Sequence, residues 1–418
     1  MATRVGVLAP LAHRDFRLLA IAHLTSLTGD GFFRVAIAIQ VLLVSNAAGA
    51  IAATAMAWGA GMVAALPLGG WVSDHFPRRR VMMLADAWRA LMIGGIGVLS
   101  VTGNLELWHL ITLGAGFGLG NGFFNPSAMA LVPELVPAED LARANSFLGI
   151  ARPAMVYIVG PILGGVLVTA AGPGSAFLLD AATFAVSIGF LAAISVGRAA
   201  VASGEQGPLK DIVEGVGYVL RTRWAWPWLL GAGVGTLAFH GPFDVLVPYL
   251  LFNDFGLDEG AVSRQMAYIL AAGGAGSIIA GTALGQWQLP RRFMTTLYVA
   301  EATGVAALVV FGVMWAPWHA VIAGGVLFTL FAVTDIIWTT TMQRLVPRRM
   351  LGRVASLDWF TSMSLAPLSF GVAWLLDAVV GARAALIVAG VAGAVVLLAL
   401  LAVPGAREPE RGEVVAEV

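Results

Sequence analysis

The sequence predicts an all-α membrane protein of twelve transmembrane helices, built as two six-helix bundles that are parallel repeats of one another. Three observations carry that prediction. Of 418 residues, 59% are apolar and 11% charged, and the mean hydropathy is +0.86; soluble domains carry about 25% charge. Apolar runs of the ~20 residues that cross a hydrocarbon layer alternate with short polar gaps along the chain. The chain also repeats itself. Leu135-Val136-Pro137, Leu141, Arg143 and Ser146 recur 210 positions later (135 to 345) as Leu345-Val346-Pro347, Leu351, Arg353 and Ser356. Six spans per half bring both halves in from the same side, which relates them by an axis along the membrane normal.

Span one is read at 17–43 and span two at 49–73. The turn after them, Gly70-Trp71-Val72-Ser73-Asp74-His75-Phe76-Pro77-Arg78-Arg79-Arg80, holds an Asp and three Arg that hydrocarbon excludes, so it lies at a membrane face, and its basic character marks that face as cytoplasmic. Span three, 81–101, carries Asp86 and Arg89 near its cytoplasmic end, where they are read as part of the loop network. Span four, 107–131, alternates Gly114, Gly116, Gly118, Gly120 and Gly122. No Lys-Ser/Thr follows them, so a phosphate-cradling loop is rejected in favour of close helix packing. Spans five and six follow at 145–170 and 174–196. The polar stretch 197–223, with Ser203-Gly204-Glu205-Gln206-Gly207-Pro208, is the boundary between halves. Within it Ile212, Val216, Val219 and Leu220 recur among Lys210, Asp211, Glu214 and Arg221, which predicts a short amphipathic helix lying on the membrane surface. The second half has spans at 224–251, 263–287, 293–315, 318–342, 355–379 and 383–404. The organisation is thus a bundle at 1–196, a connector at 197–223, a bundle at 224–404 and a tail at 405–418.

Basic residues gather on the predicted cytoplasmic side, among them Arg14, Arg17, Arg143, Arg221, Arg223, Arg291, Arg292, Arg344, Arg348, Arg349 and Arg407. Arg264 and Arg383 lie opposite, and Arg34, Arg89 and Arg152 lie inside spans. Both termini are therefore expected in the cytoplasm, with the first apolar run retained as a span rather than cleaved as a leader. The chain has no cysteine, which excludes disulfides, thiolate metal sites and Cys nucleophiles. Its six histidines show no metal-ligand spacing, and its one lysine, Lys210, sits in the connector, away from any retinal-type site. No enzyme, metal, cofactor or nucleic-acid partner is expected, and the chain is read as a monomer.

The segment Gly70 to Arg80 resembles the loop between spans two and three of the major facilitator superfamily, with His75 in place of a basic residue and Pro77 in place of the second glycine. Val159-Gly160-Pro161-Ile162-Leu163-Gly164-Gly165 resembles the Gly-Pro-x-x-Gly-Gly motif of its antiporters, with Val156 in place of an upstream glycine. The segment 135–146 is similar to the branch of macrolide, tetracycline-type and siderophore exporters. The resemblance implies rocking of two bundles in a prokaryotic inner or plasma membrane, exporting lipophilic or amphiphilic small molecules, drugs or secondary metabolites, by proton antiport. Its partners would be the substrate, protons and lipid. It also implies a conformational latch of Gly70, Asp74, Arg78 and Arg79, in which Asp74 meets the N-terminus of a helix from the other half and Arg78 pairs with it. A plain cap at Asp74 and lipid anchoring by the arginines fit the same residues. Gly160, Gly164 and Gly165 would allow close approach and Pro161 a local bend; packing alone accounts for them equally.

Ionisable residues inside spans are costly and normally face a cavity or a partner. Asp30 and Arg34 lie four apart on span one, and His240 and Asp244 occupy the equivalent positions on span seven. At about 1.5 Å per residue from Arg17, Asp30 lies roughly 20 Å in. The resemblance implies that both spans line the central cavity, so these four are the first candidates for proton and substrate coupling. Arg stays charged and can only tune, which makes Asp30 a candidate carrier, with Asp244 beside His240 a second; a static Asp30–Arg34 pair, or a hydrogen-bonded His240–Asp244 pair, is the alternative. Arg152 would attract an anion or pair with Asp86 or Asp335. Asn121 and Asn125 would bond ligand or neighbours, and Phe123, Phe124, Phe239 and Phe243 would offer apolar cavity wall or simple span packing. Alternative functions are siderophore or lysolipid transport, and sensing without transport.

Overall fold

The computed structural model describes residues 6–45, 48–195, 208–286 and 289–412, and these are helical apart from short turns. Most of the polar connector, including Ser203 to Gly207, lies outside the described residues, as does the end of the tail. Among the described residues, ten helices are long and apolar enough to cross a membrane. Two more spans complete twelve. Leu107–Leu135 is the fourth, less apolar because of its glycines, Asn121, Asn125 and two prolines. The other follows because Gly160–Ala192 is broken at Gly172, whose φ of 77° is not helical, so that it belongs to two spans. Span five therefore runs from Leu141–Ala154 through a π-helical turn, Met155–Val159, to that break, and span six from it to Ala192.

The internal repeat extends to this turn. Gly172 between spans five and six has its counterpart in Gly381 (φ 81°) between Leu351–Val380 and Ala382–Leu401, spans eleven and twelve. Both positions need a positive φ, which a side chain with a Cβ adopts only at a cost. The remaining spans are Arg14–Ser45, Ala48–His75 and Arg78–Val101 in the first half, and Ala225–Asn253, Glu259–Gln286, Phe293–Val313 and Trp318–Leu345 in the second. Span seven contains its own π turn, Pro242–Leu246.

Glycines decide how closely spans approach. On span four, a Cβ at Gly118 or Gly122 would strike span two, at Trp58 and Met62 or Ala65, whereas one at Gly116 or Gly120 would strike span three, at Met92 or Arg89. Span four is therefore clamped between spans two and three on alternate faces. Spans one and five cross backbone to backbone at Gly31 and Gly160: a Cβ on Gly160 would lie 2.7 Å from Gly31 Cα and from Thr28 O, and one on Gly164 would lie 2.9 Å from Phe32 Cα. Gly165 departs from the expected close approach, because a Cβ there meets nothing within 4 Å. We expect Gly160→Ala to cost about 1–3 kcal/mol through forced backbone displacement and Gly165→Ala to change stability by no more than ~0.5 kcal/mol. Thermal melts of the two purified variants compare them; equal melting temperatures would count against this crossing.

The two halves meet at the end that carries the Gly70–Arg80 turn, called the basic face below. Gly70 packs against Ser356 and Gly352, and its repeat partner Gly281 packs against Ile150 and Ser146 O. The amphipathic segment forms the helix Pro208–Arg221, docked so that Gly215 faces Arg353 while Val213 and Leu220 point outward. At the same face, His13 Nε2 lies 3.1 Å from Asp140 Oδ2, and Arg143 donates to Asp140 Oδ1 at 2.6 Å. Partial burial pushes the Asp140 carboxyl up, but these two partners outweigh it and hold the group below the usual carboxylate range. The N-terminal segment is thereby tied to the turn between spans four and five.

Candidate functional site

Asp74 ends span two and is 5% exposed. Its Oδ1 accepts the backbone N–H of Gly352 at 2.9 Å and its Oδ2 that of Arg353 at 3.1 Å. These are orphan donors in the first turn of span eleven, which starts at Leu351 without a side-chain cap of its own. One half of the protein thus caps a helix of the other. The Arg353 guanidinium lies 3.4 Å from Asp74 and donates to Glu214 of the connector helix at 3.0 Å. Arg78 sits 3.7 Å from Asp74 and donates to Glu134 Oε1 (2.6 Å), Ala130 O (2.7 Å) and, across the halves, Arg348 O (2.6 Å). Glu134, at the end of span four, was not singled out by the sequence. Arg79 does not join this network; it donates to Ala192 O and Ile194 O of its own half.

A second clasp lies deeper. Asn145 Nδ2 on span five donates to Thr340 Oγ1 (2.9 Å) and Gln343 Oε1 (2.8 Å) of span ten, and Gln343 returns a bond to Met129 O at 3.0 Å. Asn145 and Gln343 form one boundary of a cavity of about 300 Å³ between the halves. The first half contributes His23, Asn125 and Arg152 to its wall; the second contributes Asp335, Asp358 and Trp359. The Arg152 guanidinium lies 5.2 Å from the centre of the Trp359 ring, a cation–π contact across the halves. His23 stacks on Phe124 with ring centres 5.6 Å apart.

Inside the first bundle lies a separate set of charges. Asp86 is 0% and Arg89 2% exposed. They form a direct ion pair, Ser187 Oγ donates to Asp86 Oδ2 at 2.7 Å, and Arg89 donates to Asn121 Oδ1 at 3.0 Å. The guanidinium is sandwiched between the rings of Phe124 and Phe184, at 4.1 and 4.5 Å. Next to this unit, Asp180 of span six is 0% exposed, and a Cβ on Gly29 of span one would overlap its carboxylate.

These positions correct several expectations. Of the eleven residues expected at the cavity, only Asn125 and Arg152 line the one described above. Asn121 is consumed by Arg89, and Phe124 (1% exposed) and Phe243 (2%) are core residues. Phe239 stacks on Phe243 and meets Phe328 and Phe331 edge-on, and Phe123 packs against the core of the first half. The cause is helical rotation: neighbours on an apolar span face different partners, and spacing fixes their relative direction without fixing what stands there. Asp86 and Arg89 belong to the bundle interior rather than the loop network, so Asp86 is not the partner of Arg152. Asp335 acts electrostatically on that arginine across the cavity. Asp30 is half-buried with its Oδ1 unpartnered, Arg34 is exposed one turn on, and Arg89, Arg34 and Arg152, in that order, act on Asp30 electrostatically. His240 Nδ1 lies 3.3 Å from Thr236 O, and Asp244 is exposed on the π turn of span seven. The Asp30–Arg34 and His240–Asp244 positions therefore stay apart from the cavity wall. Pro161 follows the π turn of span five, where its missing N–H leaves the helical ladder open. Asp180 and Asp358 were missed, although each stands as an acid in an apolar run, the signal that marks a buried functional group.

Known proteins resemble the chain throughout. The profile of the Major Facilitator Superfamily matches residues 19–369. The multidrug efflux pump Tap of Mycolicibacterium fortuitum is 28% identical, with 88% of this chain and 90% of that protein aligned. The enterobactin exporter EntS of Citrobacter koseri is 24% identical over 87% of this chain and 85% of its own length. Among solved structures, a bacterial homologue of the iron transporter ferroportin in an outward-facing state has a TM-score of 0.73 at 18% identity, covering 93% of this chain and all of that one. The Escherichia coli fucose:proton symporter FucP has a TM-score of 0.73 at 11% identity, covering 92% and 97%. At such identities the structures speak for the fold alone. With the repeat, the twelve spans and a profile match over most of its length, the chain is a multi-pass membrane transporter that belongs to the major facilitator superfamily.

Proposed function

We propose that this transporter exports amphiphilic small molecules of cationic character, in exchange for protons, by exposing the cavity between its halves alternately to the two sides of the membrane. The carrying observation is that cavity of about 300 Å³, in which Asp335 and Asp358 from one half oppose a single guanidinium, Arg152, from the other. Two carboxylates against one cation favour a positively charged guest, while Trp359, Met129 and Met363 provide adaptable apolar contact. The basic face is cytoplasmic by its charge, so both termini lie there. The Asp74 cap can exist only while the halves touch at that face, so it favours the outward-open state and acts as a latch on it. Export is also what the names of Tap and EntS describe. Asp30, with Arg34 in reach, is the proton carrier in this reading; His240 and Asp244 are its counterparts in the second half.

The exposed Arg152 favours a second reading, in which the guest is an anion such as a catecholate siderophore. Purified protein in liposomes, given an imposed pH gradient and a panel of a lipophilic cation, a neutral macrolide and a catecholate, decides between them. We expect the cation to be moved and the gradient to accelerate it. Flux that ignores the gradient would point to uniport, and preference for the catecholate would transfer the assignment to the second reading.

A further inference from the structure

We propose that Asp180 on span six shares one proton with Asp30 on span one, and that this acid pair, rather than Asp30 alone, is the proton-binding site of the transporter. Asp180 is fully buried, and its Oδ2 has no hydrogen-bond partner. Its Oδ1 has only the Thr183 hydroxyl, at 3.4 Å. Gly29 brings span one against this carboxylate so closely that a Cβ there would overlap Asp180 Oδ1 and Thr183 Oγ1. The next residue along span one is Asp30, whose Oδ1 is, among the described residues, the other buried carboxylate oxygen without a partner.

The charges facing Asp180 are Asp30 from span one, Asp86 and Arg89 from span three, and none but the Thr183 hydroxyl on its own helix. Arg89 acts on it through space and makes its hydrogen bonds elsewhere. That guanidinium is bonded to Asp86 and Asn121 and held between two aromatic rings, and Asp86 is further satisfied by Ser187. The Asp86–Arg89 pair is neutral overall, and among the described residues neither Asp30 nor Asp180 has a cation bonded to it, although Arg89, whose Nε carries no hydrogen bond, acts on both through space. A buried carboxylate without a partner is strongly disfavoured when ionised. A single proton cuts the pair from two negative charges to one: bound to one orphan oxygen, it is donated to the other carboxylate, which keeps its charge. When the pair discharges, the O–H bond breaks, the proton passes to water as hydronium, and one negative charge is added to the pair. Arg89, then Arg34, one helical turn from Asp30, and Arg152 act on Asp30 and would hold that charge, with Asp86 opposing them. Asp30 is the half-buried member through which the proton enters and leaves; Asp180 is the buried one that retains it. Neighbouring carboxylates of this kind titrate as a unit.

This inference rests on the proton-exchange reading, and the experiment separates the two. Infrared difference spectra of the full-length protein in lipid, taken between low and high pH, read the C=O band of a protonated carboxyl; flux of tetraphenylphosphonium in liposomes reads the response to a pH gradient. We expect Asp180→Asn and Asp30→Asn each to abolish the same band, and Asp180→Asn to reduce the gradient response about tenfold or more, within the span of ordinary coupling free energies. If Asp180→Asn does not fold, Asp180→Glu serves instead, and the band must move in frequency. A band that survives Asp180→Asn, or is unmoved in Asp180→Glu, overturns the acid pair, as does full gradient response in Asp180→Asn while the unmodified protein is proton-coupled. An unmodified protein blind to the gradient sinks proton exchange itself, and with it the pair as a coupling site.

Discussion

Asp74→Asn is expected to release the basic face and depress efflux without preventing insertion. The carboxylate caps two N–H groups of span eleven and stands 3.4 and 3.7 Å from the Arg353 and Arg78 guanidinium groups. An amide keeps the shape but loses the charge and turns a donor toward one of those N–H groups. Truncating one member of a buried charged contact costs about 2–5 kcal/mol, and here the cost falls only on the state in which the halves touch. Even about 2 kcal/mol shifts the balance of states by roughly 30-fold. The absence of native cysteine makes the readout direct: Ser362→Cys, on the cavity wall, should react with a membrane-impermeant maleimide from the basic face much faster in the Asp74→Asn background. Gly352→Ala attacks the contact from the other side, since a Cβ there lies 2.6 Å from Asp74 Oδ1, and should act alike. Unchanged labelling together with unchanged efflux at equal expression would remove the latch from the mechanism.

Arg89→Met is expected to be the most damaging single change to stability. It leaves Asp86, 0% exposed, ionised against only the Ser187 hydroxyl and strips the charge from between Phe124 and Phe184. Breaking a buried pair from one side costs about 3–5 kcal/mol, whereas replacing both members by apolar side chains of similar volume is often neutral. The double change Asp86→Leu with Arg89→Met should therefore recover most of what the single change loses. Thermal melting of the purified variants reads both. A double variant as unstable as Arg89→Met would mean that the loss comes from packing around the guanidinium stem and not from the stranded charge.

How much of this was legible in the sequence depended on whether a constraint acts along the chain or across it. Hydrocarbon thickness acts along it, and so the spans, their pairing into repeats and the loop at Gly70–Arg80 were readable. The break between spans five and six at Gly172, and its echo at Gly381, are also local, since a Gly-Pro step marks the first. Contacts across the chain were less accessible. Asn121 and Asn125 lie one turn apart, yet the first bonds Arg89 and the second lines the cavity. Arg89 is eleven residues into a helix that starts at Arg78, deep enough to leave the loop region, and only the neighbouring helices decide that it points inward. Glu134 became visible as a partner only once Arg78, 56 positions away, was folded onto it. Asp180 and Asp358 could have been flagged by their apolar surroundings, although nothing in the sequence pairs the first with span one or places the second beside Arg152.

The central claim, that the halves move against each other about the cavity, is tested most directly by distances between paired spin labels at the two faces. One pair, Phe76→Cys with Arg349→Cys, spans the basic face; the other, Trp108→Cys with Trp315→Cys, spans the opposite face, and all four native side chains are exposed. The account predicts that, during turnover or in the Asp74→Asn background, the first distance lengthens while the second shortens. Two distances that stay fixed while substrate is transported would contradict it.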